Sequence, residues 1–299
     1  MMGKICFILL LVCTIVTLLP ATIVAAETNV NVTVLSSDIS LAGTEIKGSI
    51  NWDKGAVQAI GIGVPSIQSH SQAQANAMAR RAAVVDAYRN LLEAVGEVRV
   101  EAATTIKNFE LESDVVKTRI SGLVQGAHIV NEQQMPDGSY QVTMEINLFG
   151  ANSVAAAIAD KMKPVEILSA LMPSPGYNIP SQTMQAYTGV VVDARGLGLE
   201  RIMSPRIYDE TGRIIYGNMY IDPDMVVHRG MVDYTASSDM IETVKIGRSR
   251  AGTNPIIVKA IGLKDFNANV VISRADADMI LAANHQENFF AHTSVVFEQ

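Results

Sequence analysis

Between Ser71 and Gly96 the chain reads SQAQANAMARRAAVVDAYRNLLEAVG, and Ala77, Val84, Tyr88, Leu91 and Val95 recur there at spacings of three, four and seven. That periodicity predicts one long helix with a single apolar stripe. Arg80, Arg81, Asp86, Arg89 and Glu93 fall largely off the stripe, Ser69 or Ser71 can cap the start, and Gly96 supplies the stop. Its many alanines predict a helix lying close to a sheet, because a small side chain shortens the helix-to-sheet distance. A coiled coil is the weaker reading, since the stripe spans too few heptads and lacks a consistent pair of large residues.

The flanking segments read as strands. Ala56 to Val64 is an apolar run closed by Pro65, GEVRVEAAT alternates, and LVQGAHIVNEQQ returns as YQVTMEINLFG across a Pro136-Asp137-Gly138-Ser139 turn. In the returning strand Val142, Met144, Ile146 and Leu148 alternate with Thr143, Glu145 and Asn147, the pattern of a half-buried antiparallel strand. TIKNFELESDVVKTRISG lies between as a shorter helical or irregular crossover, which makes a β-α-β-α-β-β module.

From Asn152 to Met162 an alanine-rich segment predicts a short helix, and four of the ten prolines then fall between Lys163 and Gln182, the density of a linker or long loop. Beyond it Val190 to Asp193 reads as a short buried strand. Pro205 to Tyr208 pairs with Arg213 to Tyr216 across DETG, and NPIIVKAIGL, NVVIS and HTSVVFE give further strands. SRADADMILAAN is a helix capped by Ser273 with Asp276 three residues on. The expected fold class is α+β, a helix-covered antiparallel sheet module followed by a second β-rich α+β module. Its expected parts are a leader over 1–26, an extended arm over 27–49, the first module over 50–150, a helix and proline-rich linker over 151–186, and the second module over 187–299.

The apolar strand ending in GIG, the helix carrying ARRAAVVDAYRNLLEAVG, the V-x-V strand, and then GLVQGAHIV and DGSYQVTMEI together resemble the Lpp-twenty lipoprotein family, and the N-terminal domain of the flagellar assembly protein T is similar. The resemblance covers roughly residues 50–150 and rests on pattern, not on a catalytic signature. It implies a non-enzymatic envelope module, tied to the outer membrane or to flagellar structures.

The N-terminus sharpens the compartment. Lys4, the apolar run Ile5 to Leu19 and the small residues Val24 and Ala26 before Glu27 form an export leader with cleavage expected after Ala26. The run is short for a membrane span and Pro20 interrupts it. Both cysteines, Cys6 and Cys13, would leave with the leader, so no disulfide, thiolate metal site or cysteine nucleophile is expected. Lipidation at Cys13 is disfavoured because the branched Val12 precedes it, so membrane association would lack a lipid anchor. Loss of Lys4 takes the formal charge from −7 to −8. An acidic chain without a basic, aromatic-interleaved run excludes nucleic acid as the expected partner. The arm, polar and β-branched, reads as a strand that needs a partner.

Candidate chemistry is sparse. Asp193, Arg195, Asp209, Glu210, Asp222 and Asp224 stand at strand ends and turns, where carboxylates do general acid and base work, but such residues also populate turns and helix starts for local reasons. The strongest binding candidate is Asp193 with Arg195, at the end of a buried strand in VVVDARGLG, flanked by tyrosines such as Tyr187, Tyr208 and Tyr216. GIG at Gly61 to Gly63 and GLG after Arg195 lack the rest of a phosphate-binding pattern and read as tight turns. His285, Glu287 and His292 do not make a metal site by spacing, and no cofactor motif or nucleophile elbow is present.

Two readings follow. One is an exported, non-enzymatic structural or assembly component of the envelope, with envelope or appendage proteins, or further copies of itself, as partners. It expects an exposed sheet edge or apolar patch and no deep pocket. The alternative is an exported module that binds or hydrolyses a cell-wall polymer through the Asp193/Arg195 region, which expects a groove there.

Overall fold

The computed structural model describes residues 40–41, 44–45, 48–162, 172–177, 186–236 and 249–299. The expected leader, most of the arm and most of the proline-rich linker lie outside these residues. Ser40–Leu41 (β1) and Thr44–Glu45 (β2) form a minimal antiparallel hairpin. Gly48–Asn51 (β3), Ala56–Gly63 (β4), His128–Gln134 (β7) and Tyr140–Asn147 (β8) build an antiparallel sheet in the order β3-β4-β8-β7. The helix Gln72–Gly96 (α1) packs on one face of it. The molecule has an α+β fold, and its first module is a helix-covered antiparallel sheet.

Helix α1 starts where the serine pattern places it. Ser71 Oγ accepts from the Gln74 amide at 3.1 Å, satisfying one of the unpaired donors of the first turn. Ser71→Ala is expected to cost about 1 kcal/mol in a thermal or chemical melt, the usual loss of such a cap.

The buried stripe of α1 differs from the expected one. Ala75, Ala79, Ala83, Ala87, Leu91, Ala94 and Val95 face the sheet, whereas Ala77 is exposed and Val84 and Tyr88 sit half-buried at the flanks. The reason is in the partner strand. A Cβ on Gly61 would stand 2.7 Å from Ala87 Cα and closer still to the Ala83 carbonyl; one on Gly63 would stand 2.9 Å from Ala82 Cβ and collide with the backbone at Ala79. Helix backbone therefore lies directly on strand backbone, and only alanine fits between. Gly61 and Gly63 are strand residues that admit the helix and form no tight turn. The period of four among the alanines carried the true stripe, hidden by the larger residues beside it.

Between the sheet strands run Arg99–Glu101 (β5), Thr104–Thr105 (β6) and two helices, Ile106–Glu112 (α2) and Asp114–Gln125 (α3), joined at Ser113, whose side chain caps α3. Ile106, Val116, Ile120 and Val124 turn inward. After β8, the expected single helix is two short ones, Val154–Ala157 (α4) and Ala159–Met162 (α5).

Among the described residues the second module holds two four-stranded sheets. Val190–Asp193 (β9), Asp233–Thr235 (β12), Ile256–Lys259 (β13) and Val295–Glu298 (β16) form an all-parallel sheet in the order β12-β16-β9-β13. Its inner strands read VVVD and VVFE without alternation because both of their faces are covered. Ile207–Asp209 (β10), Ile214–Tyr216 (β11), Gly262–Lys264 (β14) and Asn269–Ile272 (β15) form a mixed sheet, β11-β10-β15-β14. Pro223–Arg229 (α6) begins at an Asp222 cap, and Arg274–Glu287 (α7) at the Ser273 cap with Asp276.

The two modules share one core. The amides of Met203 and Ser204 donate to the carbonyls of Arg99 and Val100 at 3.0 and 2.9 Å, and Gly150 donates to Val227 at 2.9 Å. Trp52 meets Tyr234 edge-on with ring centroids 5.7 Å apart. One hydrophobic cluster runs from Val57 to Phe297, and Leu35–Gln299 is one compact unit. Among the described residues no helix is long and apolar enough to cross a membrane.

Candidate functional site

The register of the parallel sheet aligns the last residues of its strands. Thr235 stands beside Glu298, Glu298 beside Asp193, and Asp193 beside Lys259. Paired residues point to the same side of a sheet, so a row of one hydroxyl, two adjacent carboxylates and one ammonium crosses the carboxyl ends of four parallel strands. This is the end at which open parallel sheets receive ligands, because the connecting loops diverge there. Arg195 folds back over the row. Its Nε and Nη2 grip Asp193 at 2.9 and 2.8 Å, and Nη1 reaches Glu298 at 3.5 Å.

The electrostatics follow. Hydrogen bonds from Arg195 hold the Asp193 carboxyl below its ordinary value, and the same pair pushes the Arg195 guanidinium up. Glu298 is nearly fully buried, and burial, helped by the neighbouring Asp193, raises its carboxyl against the pull of Arg195. Glu298 and Lys259 were not singled out from sequence. The signal was there in VVFE, a buried run ending in a carboxylate as its sister VVVD does.

The loop after β9 turns through Gly196 and Gly198, both at positive φ, as expected for the GLG tight turn, and exposes Leu197. The Glu200 amide donates to the Asn267 carbonyl, which brings this loop beside the β14–β15 turn. There Asp265, Phe266 and Asn267 all have left-handed backbone, at φ 51, 55 and 61°, and the Phe266 ring is 75 % exposed. Three such residues in succession are costly for L-amino acids. Ile261, which follows Ala260 as that residue bonds to the Asp193 carbonyl, is also exposed. The rim thus combines a self-paired charge row with Leu197, Ile261 and Phe266.

The expected tyrosines do not complete it. Tyr216 lies in the core, its hydroxyl donating to the Met231 carbonyl at 2.6 Å and its ring against Phe290, and burial pushes its ionisation far up. It is a packing residue, which corrects its assignment to a binding site. Tyr208 sits in the mixed sheet, mostly buried, with the Lys264 ammonium 4.6 Å from its ring centre. Tyr187 packs against the core from a half-buried position. The other carboxylates have local duties. Asp209 organises its hairpin by accepting from Thr211 and Arg213, Glu210 accepts from the Arg274 amide, and Asp222 caps α6.

A cleft of roughly 670 Å³ lies in the first module, between α3, the β7–β8 end of the sheet and α4. Arg119, His128, Asn147 and Asn152 stand around a floor that includes Gly122 and Ala156. It was not foreseen, the assembly reading having expected no deep pocket, since its lining is drawn from two distant stretches of ordinary residues, 119–128 and 146–157. Beside it β7 is exposed along its whole length and, among the described residues, pairs on one side only, with β8.

Residues 189–297 match the family described as Treponema pallidum Tp0624, second domain. The match runs from just before β9 almost to the end of β16, so it spans both sheets of the second module and less than half of the chain. No curated protein matches the chain.

Proposed function

We propose that this protein is an exported, non-enzymatic component of the cell envelope that works through protein–protein contacts, as a structural or assembly element. The observation that carries this reading is β7. All seven of its residues are exposed, Ile129 and Val130 among them, and among the described residues nothing pairs with its outer backbone edge. Open edges of this kind pair readily with another chain and are usually managed when no partner exists. The exposed Phe266, Ile261 and Leu197 add an apolar surface of the sort found at interfaces. The leader pattern supports export, and the resemblance over residues 50–150 supports an envelope or flagellar setting. The test is to isolate the native protein from fractionated cells. The account expects an N-terminus at Glu27 and recovery with envelope proteins; an uncleaved cytoplasmic protein recovered alone would overturn it.

A second reading, binding of a cell-wall polymer, draws on the position of Asp193, Arg195 and Glu298 at the carboxyl ends of parallel strands. Co-sedimentation with purified insoluble wall, abolished by Arg195→Ala, would favour it. The first reading expects no such loss, because Arg195 is already paired with Asp193.

A further inference from the structure

Resting on the assembly reading, we propose that the open edge of β7, together with the adjoining cleft, accepts residues 28–34 of a second copy of this chain as an added strand. His128, the first residue of β7, lines the cleft, so edge and cleft form one continuous tract. The polar groups at the cleft's margin already have partners: Arg119 meets Asp160 at 2.8 Å, and His128 Nε2 lies 3.7 Å from Glu145 Oε1. The side-chain amides of Asn147 and Asn152 bond to no described residue, and the rest of the lining is mostly small or apolar, Gly122, Ala156, Leu123 and Ile146 among it. Such a site suits an uncharged strand that offers amide donors and acceptors.

Residues 28–34 read TNVNVTV, seven residues without a charge. They precede the start of the compact unit at Leu35. The register of β7 sets two faces. Ile129 and Glu132 point to the α1 side, where Glu132 pairs with Arg80, while Asn131 and Gln133 point to the other. An added strand with valine at every second position sets Val30, Val32 and Val34 on the Ile129 side and Asn29, Asn31 and Thr33 against Asn131 and Gln133. A bulge between Ile129 and Asn131 breaks the regular edge near the cleft. The strand therefore pairs along Asn131 to Gln134, and its register is fixed where its end enters the cleft. Because the donor segment precedes β3 and the acceptor is β7, on opposite edges of the sheet, each copy can give one strand and receive another. That is a head-to-tail contact, which builds rings or filaments.

The test is sedimentation velocity on the chain from Glu27, which keeps the whole compact unit, beside the same chain without residues 28–34 and the Gly122→Leu variant. A Cβ at Gly122 meets nothing within 4 Å, so leucine fills the cleft and leaves the fold intact, with a melting temperature equal to or above that of the parent. The expected result is concentration-dependent association whose dissociation constant rises by about tenfold or more with either change. Association untouched by either change would overturn the proposal, as would association lost with the deletion but not with Gly122→Leu. A parent that stays a single chain would overturn it too, even if its own arm occupies β7. The assembly reading survives each of these results if the native protein is still recovered with other envelope proteins.

Discussion

Gly61→Val is expected to abolish stable folding, with a loss of about 4 kcal/mol or more, at the extreme of single substitutions. The added side chain would occupy space held by the backbone of α1 at Ala83 and Ala87, and backbone cannot rotate aside as the end of a lysine can. The only relief is to lift a 25-residue helix off the sheet, which uncovers Val57, Ala59, Val142 and Met144 on one side and Leu91 and Val95 on the other. Urea unfolding followed by circular dichroism checks this. The expected outcome is a protein unfolded in buffer or with its midpoint moved close to zero; a shift of a few tenths of a molar would mean that helix and strand are not in backbone contact.

The second large effect is expected at Arg213, whose guanidinium joins Asp209 at 2.9 Å and Asp278 at 2.7 Å and so pins the β10–β11 hairpin to α7. Ser174 adds its amide and hydroxyl to Asp278, tying the described part of the proline-rich stretch to the same point. Burial alone would raise both carboxyls. Hydrogen bonds from Thr211 and Arg213 to Asp209, and from Arg213 and Ser174 to Asp278, more than offset it and hold both below the ordinary value. Arg213→Leu leaves the buried Asp209 carboxylate without a cation and Asp278 with only Arg274, 4.0 Å away, and is expected to cost about 3 kcal/mol near neutral pH. The sign of the pH dependence follows from the depressed values. The carboxylates contribute stability that is fully present above the unfolded aspartate pKa of about 4 and is lost as pH falls through the folded values. The gap between parent and variant should therefore narrow as pH falls below about 4, where the orphaned carboxyls become protonated. A gap that stays constant with pH would assign the loss to packing by the arginine stem.

The elements of this fold were legible wherever a single period dominated. Helix α1, the alternating β8 and the capped α7 stand where their patterns place them, because one buried face is enough to write one period. The parallel sheet was legible strand by strand and not as a sheet. VVVD and VVFE carry no mark of which neighbour each adopts, and that choice depends on crossovers dozens of residues long. The same limit governs the rim: Asp193 and Arg195 could be read from one continuous segment, whereas Glu298 joins them only through register. Tyr216 misled because a tyrosine near a turn looks alike whether its hydroxyl meets solvent or a carbonyl such as that of Met231. The cleft beside β7 could not be read at all, being a space left between elements, not a property of any one of them.

The shared core also qualifies the division into two modules. The segment boundary near the prolines is real in composition, yet Met203 and Ser204 pair with β5 and Trp52 reaches Tyr234, so the modules should unfold together. The rim and β7 are then two surfaces of one compact unit, Leu35–Gln299.

The most direct test of the assembly account is photo-crosslinking in living cells, with a crosslinking residue placed at Val130 on β7 and, separately, at Leu197 on the sheet rim. The account predicts discrete protein adducts from Val130, resolved by mass spectrometry as envelope proteins or further copies of this chain. Adducts to wall polymer at Leu197, with no protein adduct at Val130, would contradict it and give the molecule over to polymer binding.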